Sequence, residues 1–312
     1  MDSGIDSSIA RPEQHSTDGG VELAPALEAP AHDLVTEHGG RIHYYVDGPS
    51  GTRPLVLVHS VNAAPSAFEM KPLFERYRGE RRVYALDLPG FGRSDRGNRR
   101  YSPELYANAL VDFLDRVVED EGEIDLVAFS LGCEFAARAT ALRPQRIGSL
   151  VLLSPTGFNA RAMPTGVAAE RVHRALSIPG LNDGLFRLLT SRPSIKYFYR
   201  QAFAGPTPPE MVDYAYATSH QPGAKYAPLY FLSGQLFTPE AGERLYDSLT
   251  QPVLVLYDRD PNIDFHELPD FLCRHDNWRA ERIAPTRGMP QWDRPAETTA
   301  AIDRFWSERS AG

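Results

Sequence analysis

The sequence is poor in several residue types that would each point to a particular class of protein. Only 2 of its 312 residues are cysteines, and Lys71, Lys196 and Lys225 are its only lysines. Two cysteines far apart in the sequence exclude a disulfide framework, although they leave a single bridge open, and they favour a reduced, cytoplasmic chain. No apolar run approaches the length needed to cross a bilayer.

A positive net charge is also lacking. The chain carries a formal net charge of −8 at pH 7, which argues against nucleic acid or an anionic membrane surface as its main partner. Its composition, 42% hydrophobic and 24% charged, is ordinary for a globular protein with a sizeable core. We therefore expect a small molecule as the partner, with no nucleic acid and no membrane. Nothing in the sequence sets the oligomeric state.

The N-terminal segment lacks the basic start and the apolar stretch of a secretory signal. It is rich in serine, glycine, proline and acidic residues, a composition that cannot bury enough apolar surface to fold alone. The sequence predicts a disordered leader over residues 1–32.

Short apolar runs alternate with helical patterns through the first half of the chain. Segment 40–48 alternates and ends in Asp-Gly, which predicts an edge strand followed by a turn. Continuous apolar runs of strand length follow, and helical segments at 102–122 and 131–143 separate the later ones. Strands that alternate with helices in this way predict an α/β protein with a mostly parallel central sheet flanked by helices.

The alternation stops between residues 156 and 246, where helical pieces occur without a clear strand. It resumes with strands near 251–261 and 277–288 and a last helix at 295–310. We predict a single α/β core made of residues 33–155 and 247–312, with residues 156–246 inserted as a helical cap.

One serine lies at a junction typical of a nucleophile. In the stretch VAFSLGCE, Ser130 stands between a predicted strand and a predicted helix, with the small residues Ala128 and Gly132 on either side. A tight strand-to-helix turn needs small neighbours, and it holds the serine hydroxyl at a helix N-terminus that favours developing negative charge. A serine in this position can also be a simple helix N-cap.

Several motifs in the same order give the chain its resemblance to a known family. They are LVLVHSVN at 55–62, DLPGFGRSD at 87–95, the Ser130 turn, the apolar run PVLVLY at 252–257 and the start of the last helix at 294–297. Over residues 33–308 the chain resembles the α/β-hydrolase superfamily. The resemblance implies an α/β-hydrolase fold with an inserted helical cap.

The resemblance also implies roles for individual residues. Ser130 corresponds to the nucleophile, and the backbone N–H groups of Val61 and Leu131 correspond to the oxyanion hole. Asp260 stands where the family has its acid, with Asp258 and Asp264 as nearby alternatives, and any of the three can instead be a turn residue. His59 corresponds to a structural residue beneath the oxyanion loop.

The general base of that family is missing from its usual place. In the family the last strand ends in Gly-His, whereas here Gly288 is followed by Met289, and no histidine follows His275. Loss of one triad member typically lowers kcat by about 10⁴ to 10⁶. His220, in the predicted cap, and His266, in a predicted helix six residues after Asp260, are candidate replacements, although the sequence favours a surface or packing histidine at each position.

Aromatic residues are frequent in the predicted cap. Tyr197, Phe198, Tyr199, Tyr214 and Tyr216 can line an apolar pocket or can simply pack against other side chains. No metal-ligand cluster, phosphate-binding loop or dinucleotide motif occurs, so we expect neither a metal nor a cofactor.

These observations favour a hydrolase-like protein of the carboxylic ester class. We expect it to act through Ser130 on a small apolar ester or a related carbonyl compound, with weak or unconventional activity. Two alternatives stay open: a non-hydrolytic enzyme such as a lyase, isomerase or cyclase, and a non-catalytic protein that binds a small molecule in the same capped pocket.

Overall fold

A computed structural model describes residues 21–118, 122–158 and 166–310 of the protein. Its centre is one eight-stranded sheet with the order β1-β2-β4-β3-β5-β6-β7-β8. The strands are β1 (Ala31–Thr36), β2 (Gly40–Asp47), β3 (Leu55–Val58), β4 (Val83–Leu86), β5 (Ile124–Phe129), β6 (Ile147–Leu153), β7 (Val253–Tyr257) and β8 (Trp278–Arg282). Only the pairings β1–β2 and β2–β4 are antiparallel, so the prediction of a mostly parallel sheet is confirmed.

The helices fall into three groups along the chain. Before the insertion lie α1 (Lys71–Tyr77), α2 (Pro103–Arg116) and α3 (Gly132–Leu142). Between β6 and β7 lie α4 (Gly166–Leu176), α5 (Leu181–Leu189), α6 (Arg192–Ala202), α7 (Pro209–Ser219), α8 (Tyr226–Leu232) and α9 (Ala241–Arg244). After β7 follow α10 (Leu268–Leu272), α11 (Pro290–Asp293) and α12 (Pro295–Ser310).

Both faces of the sheet are covered, which explains the continuous apolar runs of its central strands. Every residue of β3 is buried, and successive side chains point to opposite faces. Val56 and Val58 belong to the apolar cluster that includes α2 and α3. Leu55 and Leu57 belong to the cluster that includes α1 and α12. Two hydrophobic cores therefore fix the sheet from either side.

The strand Gly40–Asp47 is not at the edge of the sheet, so that prediction is wrong. It pairs with β4 on one side and with β1 on the other, and β1 forms the edge. The sequence gives little sign of β1 because most of its residues are exposed and it begins at Ala31, inside the predicted leader.

The predicted leader boundary is also wrong for residues 21–32, whereas residues 1–20 lie outside the described ranges. The backbone N–H of Ala26 donates to the hydroxyl of Tyr45 at 2.8 Å, and Leu27 is buried. The hydroxyl of Tyr214, on α7, donates to the carbonyl of Ala24 at 3.1 Å. A few buried apolar residues and specific hydrogen bonds hold this segment, and a prediction from average composition cannot detect them.

Between β6 and β7, described residues 166–246 form helices joined by turns and loops, with no strand. None of the helices in the described ranges has both the length and the apolar character required to cross a membrane. Helices α6 and α7 of this insertion pack beside loop 60–64, because Ala64 packs against the small apolar cluster formed by Ile195, Val212 and Ala215.

Candidate functional site

Ser130 occupies a strained turn between β5 and α3. Its φ angle is +52°, a left-handed conformation that is unusual for a residue other than glycine. Its N–H donates to the carbonyl of Leu153 at 2.9 Å, and its carbonyl accepts from the N–H of Cys133 at 3.0 Å. A β-carbon at Gly132 would come within 2.3 Å of the carbonyl oxygen of His59. The turn therefore needs glycine at position 132, as a tight strand-to-helix turn requires.

Two buried backbone donors follow the ends of neighbouring strands. Val61 comes after β3 and Leu131 comes after β5, and these two strands pair in parallel, so both residues lie at the same edge of the sheet as Ser130. Both residues are buried. Within residues 21–118, 122–158 and 166–310, neither N–H donates to a protein acceptor. Buried N–H groups without a partner are rare, so this pair is a candidate binding site for an oxygen atom.

His59 supports loop 60–64, and both of its ring nitrogens form hydrogen bonds within the protein. Its Nε2 accepts from the N–H of Leu88 at 2.8 Å, and its Nδ1 donates to the carbonyl of Ser60 at 2.6 Å. Burial lowers the pKa of His59 to about 4. The ring is therefore neutral at neutral pH and has no lone pair left to serve as a base.

A buried glutamate, Glu69, holds the loop formed by residues 60–64. Its Oε2 accepts from the N–H of Ser60 at 2.9 Å, and its Oε1 accepts from Nδ2 of Asn62 at 3.1 Å. Asn62 in turn accepts the N–H of Ala64 at 2.8 Å. Burial raises the pKa of Glu69 to about 7, although the hydrogen bonds from Ser60 and Asn62 act in the opposite direction.

Glu69 also links this loop to the segment that carries Met289. The carbonyl oxygen of Glu69 accepts from Nε1 of Trp292 at 2.8 Å and from Nε2 of Gln291 at 3.3 Å. Both donors lie on α11, and Met289 is the residue that precedes this helix. Glu69 has no recognisable signal in the sequence, because its partners lie in a loop before it and in a helix more than two hundred positions away.

Asp260 lies beside Gly288. Its Oδ1 accepts from the N–H groups of Asn262 at 2.7 Å and Ile263 at 3.0 Å. A β-carbon at Gly288, where φ is +113°, would come within 2.4 Å of the other carboxylate oxygen, Oδ2. Burial raises the pKa of Asp260 to about 6 against the effect of the two N–H groups. The carboxylate thus faces the backbone next to Met289.

The two alternative aspartates have other partners. Asp258 is buried, accepts from the N–H of Thr286 at 2.9 Å and forms an ion pair with Arg282. Although burial raises the pKa of Asp258, these bonds lower it below its ordinary value. Asp264 accepts from the N–H of His266 at 3.1 Å, as a turn aspartate does. Asp260 is the aspartate whose carboxylate lies against Gly288.

Met289 is buried, with 2% of its surface exposed. It belongs to the same apolar cluster as Phe129, at the end of β5, and Leu256, on β7. Its carbonyl accepts from the N–H groups of Trp292 at 3.0 Å and Asp293 at 2.9 Å. A thioether in this place packs well, but it cannot accept a proton at neutral pH.

Neither candidate replacement histidine joins the site. The Nδ1 of His220 contacts the carbonyl of Tyr216 at 2.8 Å, and its ring stacks on Tyr216 with the ring centres 3.9 Å apart. His266 is exposed in a turn before α10, so the prediction of a helix there is wrong, and the Asp264 side chain stabilises that turn. In the described part of the chain, no hydrogen bond connects either ring to Ser130 or Asp260.

The aromatic residues of the insertion divide into buried and exposed ones. Tyr214 stacks on Phe68 with the ring centres 4.7 Å apart. Tyr197 and Phe198 point away from the core, with exposed fractions of 62% and 52%. Of the two alternatives for the aromatic residues, pocket lining therefore does not hold for Tyr197 and Phe198.

A separate cavity of about 340 Å³ lies among α4, α5 and α8. Its lining includes His173, Asn182, Lys225 and Tyr230, and it does not include Ser130. Among the described residues, no group of three or more histidine, cysteine, aspartate or glutamate side chains is arranged to hold a metal ion.

Known proteins resemble this chain in sequence and in fold. A family model described as the alpha/beta hydrolase family matches residues 55–302. The dihydrolipoyllysine-residue acetyltransferase component of the acetoin cleaving system of Pseudomonas putida is 30% identical over 160 residues, which cover 50% of this chain and 41% of that protein. The chain thus spans less than half the length of this relative.

Two further similarities extend over more of the chain. An uncharacterized hydrolase of Bacillus subtilis, YugF, is 23% identical over 261 residues, which cover 77% of this chain and 94% of that protein. The crystal structure of a probable hydrolytic enzyme from Pseudomonas aeruginosa PAO1 superimposes with a TM-score of 0.73 at 20% identity, covering 91% of this chain and 98% of that one. At that identity the structural likeness concerns the fold alone.

Proposed function

Because the chain belongs to the alpha/beta hydrolase family, we propose that it acts through Ser130 on a small apolar ester or a related carbonyl compound. The observation that carries this proposal is the strained turn that holds Ser130 beside two buried backbone donors. The φ angle of +52° is costly unless the surrounding structure maintains it. The unpartnered N–H groups of Val61 and Leu131 supply what a developing oxyanion requires.

In the proposed reaction the hydroxyl oxygen of Ser130 attacks the carbonyl carbon and forms a new C–O bond. The carbonyl electron pair moves to the oxygen, where the N–H groups of Val61 and Leu131 donate to it. The alcohol then leaves with a proton, and water hydrolyses the acyl-enzyme to release the acid. The oxyanion donors lower the barrier of both steps, since each passes through a tetrahedral intermediate.

The proposed reaction lacks a side chain that accepts the proton of the Ser130 hydroxyl. We propose that the triad is incomplete, with Ser130 as nucleophile, Asp260 as the remaining acid and Met289 in the place of the base. The contact of Asp260 with Gly288 supports this assignment, because it puts the acid next to position 289. The proton must then pass to water, and turnover is slow compared with that of a complete triad.

The burial of Met289 favours a second candidate function. A side chain that fills an apolar cluster stabilises the fold without any catalytic role. In that case the protein binds a carbonyl compound at the two N–H groups and forms no acyl-enzyme. A non-hydrolytic reaction that polarises a carbonyl would use the same donors.

The setting that we propose is a reduced compartment such as the cytoplasm. Both Cys133 and Cys273 are free, and Cys133 is buried. This agrees with a chain that does not depend on a disulfide bond for its fold.

Labelling with a fluorophosphonate tests the proposal directly. The intact protein is incubated with the probe and weighed by mass spectrometry, with Ser130→Ala as the control. A single adduct that is absent from the control is the expected result. The absence of any adduct at saturating probe would contradict the hydrolase proposal and favour the binding protein.

A further inference from the structure

The exposed apolar side chains of this protein are concentrated on three inserted helices and the turn between two of them. Seven of the ten large hydrophobic residues that are exposed in the described ranges lie between positions 167 and 198. They are Val167, Val172, Ile178, Leu181, Leu188, Tyr197 and Phe198. Scattered exposed hydrophobic residues are normal, but a concentration of this kind marks an interaction surface.

The helical spacing separates an inner face from this outer one. On α5, Asn182 and Phe186 are buried, whereas Leu181 and Leu188, seven positions apart, are exposed on one side. On α6, Ile195 is buried, whereas Tyr197 and Phe198 are exposed and contact each other with the ring centres 5.4 Å apart. Both helices therefore have one apolar face that packs against the protein and further apolar side chains that are exposed.

Basic residues share these helices. Residues 166–202 contain six arginine and lysine residues against two acidic ones, an excess of four positive charges in a chain whose net charge is −8. Arg192 pairs with Asp213. The other five are exposed and form no ion pair within the part of the chain that the structure describes: Arg171, Arg174, Arg187, Lys196 and Arg200.

We propose that these seven apolar and five basic side chains form a docking surface for an anionic lipid bilayer. Amphipathic helices with arginine or lysine beside leucine and aromatic residues lie in the membrane interface, and their cations attract anionic headgroups. Tyrosine and phenylalanine at positions 197 and 198 suit the interfacial layer. The whole-chain charge argued against such a partner, but charges beyond a Debye length of about 8–10 Å are largely screened, so the local charge decides.

The charge also argues against a second copy of the chain as the occupant. A symmetric interface would place the same positive surface of both copies in contact, and like charges would repel.

One of the three helices that carry the surface, α6, also reaches the loop of the candidate site. Tyr199, on α6, packs in the same small cluster as Ala64 of loop 60–64. Docking through α6 would thus involve a helix that packs against loop 60–64, which carries Val61, and the proposal does not depend on the function proposed for Ser130.

Vesicle sedimentation of the full chain tests this proposal. Vesicles of phosphatidylcholine alone are compared with vesicles of equal parts of phosphatidylcholine and phosphatidylglycerol, at low and at high salt. We expect binding to the mixed vesicles at low salt and weaker binding at high salt. Arg171→Gln, Arg174→Gln and Arg187→Gln should each weaken binding about fivefold.

Substitutions of the apolar residues provide the second arm. Leu188→Asp and Phe198→Asp should each weaken vesicle binding by about tenfold or more. Val35→Asp is the matched control, because Val35 is 68% exposed but lies on β1, outside the docking surface. A thermal melt of each variant verifies that it is folded.

Three results would overturn the proposal. One is the absence of binding to the mixed vesicles. Another is binding that the arginine and apolar variants leave as strong as that of Val35→Asp. The third is a dimer in light scattering that Leu188→Asp dissociates while no vesicle binding occurs, which would assign the surface to a second copy.

Discussion

The carboxylate of Asp260 lies against the α-carbon of Gly288, so closely that a methyl group on that carbon would come within 2.4 Å of Oδ2. Gly288 is followed directly by Met289. Under the proposed function Asp260 is the acid, and a histidine introduced at position 289 would have this carboxylate as its partner.

If the proposed function holds, the substitution Met289→His should strongly increase ester hydrolysis. An imidazole at this position can accept the Ser130 proton and pair with Asp260, so we expect kcat/KM on a generic aryl ester to rise by about 10³-fold or more. The measurement is the steady-state rate as a function of pH, which should increase through a pKa near 7. Met289→Gln is the control, since an amide cannot act as the base. Equal rates for the two variants would show that the cleft is not arranged for acyl transfer.

The role of Asp260 should depend on the residue at position 289. In the Met289→His background, Asp260→Asn removes the partner of the imidazolium, and we expect kcat to fall by about 10²- to 10⁴-fold. In the native background the same change should leave the rate of fluorophosphonate labelling nearly unchanged, since methionine does not interact with the charge. The effect of Asp260→Asn on the labelling rate, measured in both backgrounds, gives the coupling between positions 260 and 289. Equal effects in both would mean that Asp260 acts only through the loop that it caps.

The parts of this structure that the sequence predicted are those fixed by local pattern. The runs at β3, β5 and β7 are apolar throughout because both faces of the sheet are covered. The turn at Ser130 is predictable because a tight strand-to-helix turn requires small neighbours and the sequence has Ala128 and Gly132 there, although the atom that excludes a β-carbon at Gly132, the carbonyl oxygen of His59, lies more than seventy positions away.

The parts that the sequence did not predict depend on contacts between distant segments. Residues 21–30 are ordered through bonds such as that between Ala26 and Tyr45, which composition does not reveal. Glu69 stands in a short helical turn where an acidic residue would normally be solvent-exposed. Only the folded chain brings the Ser60 N–H and the Trp292 side chain onto it.

Glu69 should make the stability of the protein depend on pH. Its folded-state pKa of about 7 lies above the ordinary value of 4.5. Between these pH values the folded chain keeps a proton that the unfolded chain has released, so stability falls as the pH rises from about 4.5 to 7. Glu69→Gln mimics the protonated acid and lacks this dependence. Relative to the native protein, the variant should gain roughly 2–3 kcal/mol between pH 4.5 and pH 8.

Thermal melts at several pH values measure this gain. Glu75→Gln is the matched control, because Glu75 is an exposed glutamate on α1 and its replacement should give no comparable trend. If the difference between Glu69→Gln and the native protein were the same at every pH, the carboxylate would not titrate in this range.

Gly132→Ala should disrupt the turn that presents Ser130. The added β-carbon would lie 2.3 Å from the carbonyl oxygen of His59, and a backbone atom cannot move aside as the end of a side chain can. Either α3 or loop 60–64 must shift, and we expect a loss of about 2–4 kcal/mol in the free energy of unfolding. Because the shift separates the N–H groups of Val61 and Leu131, labelling of Ser130 should also slow.

The matched control for this change is Gly184→Ala, on α5, where a β-carbon would meet no atom within 4 Å. Alanine favours the helix by up to about 1 kcal/mol there, so this variant should be as stable as the native protein or more so. Urea titrations of both variants, together with their labelling rates, separate the steric effect from the general cost of replacing a glycine. Equal stability and equal labelling rates of the two variants would contradict this prediction. They would mean that the ends of β3 and β5 can accommodate a β-carbon, and that the close approach of Gly132 to His59 does not position Ser130.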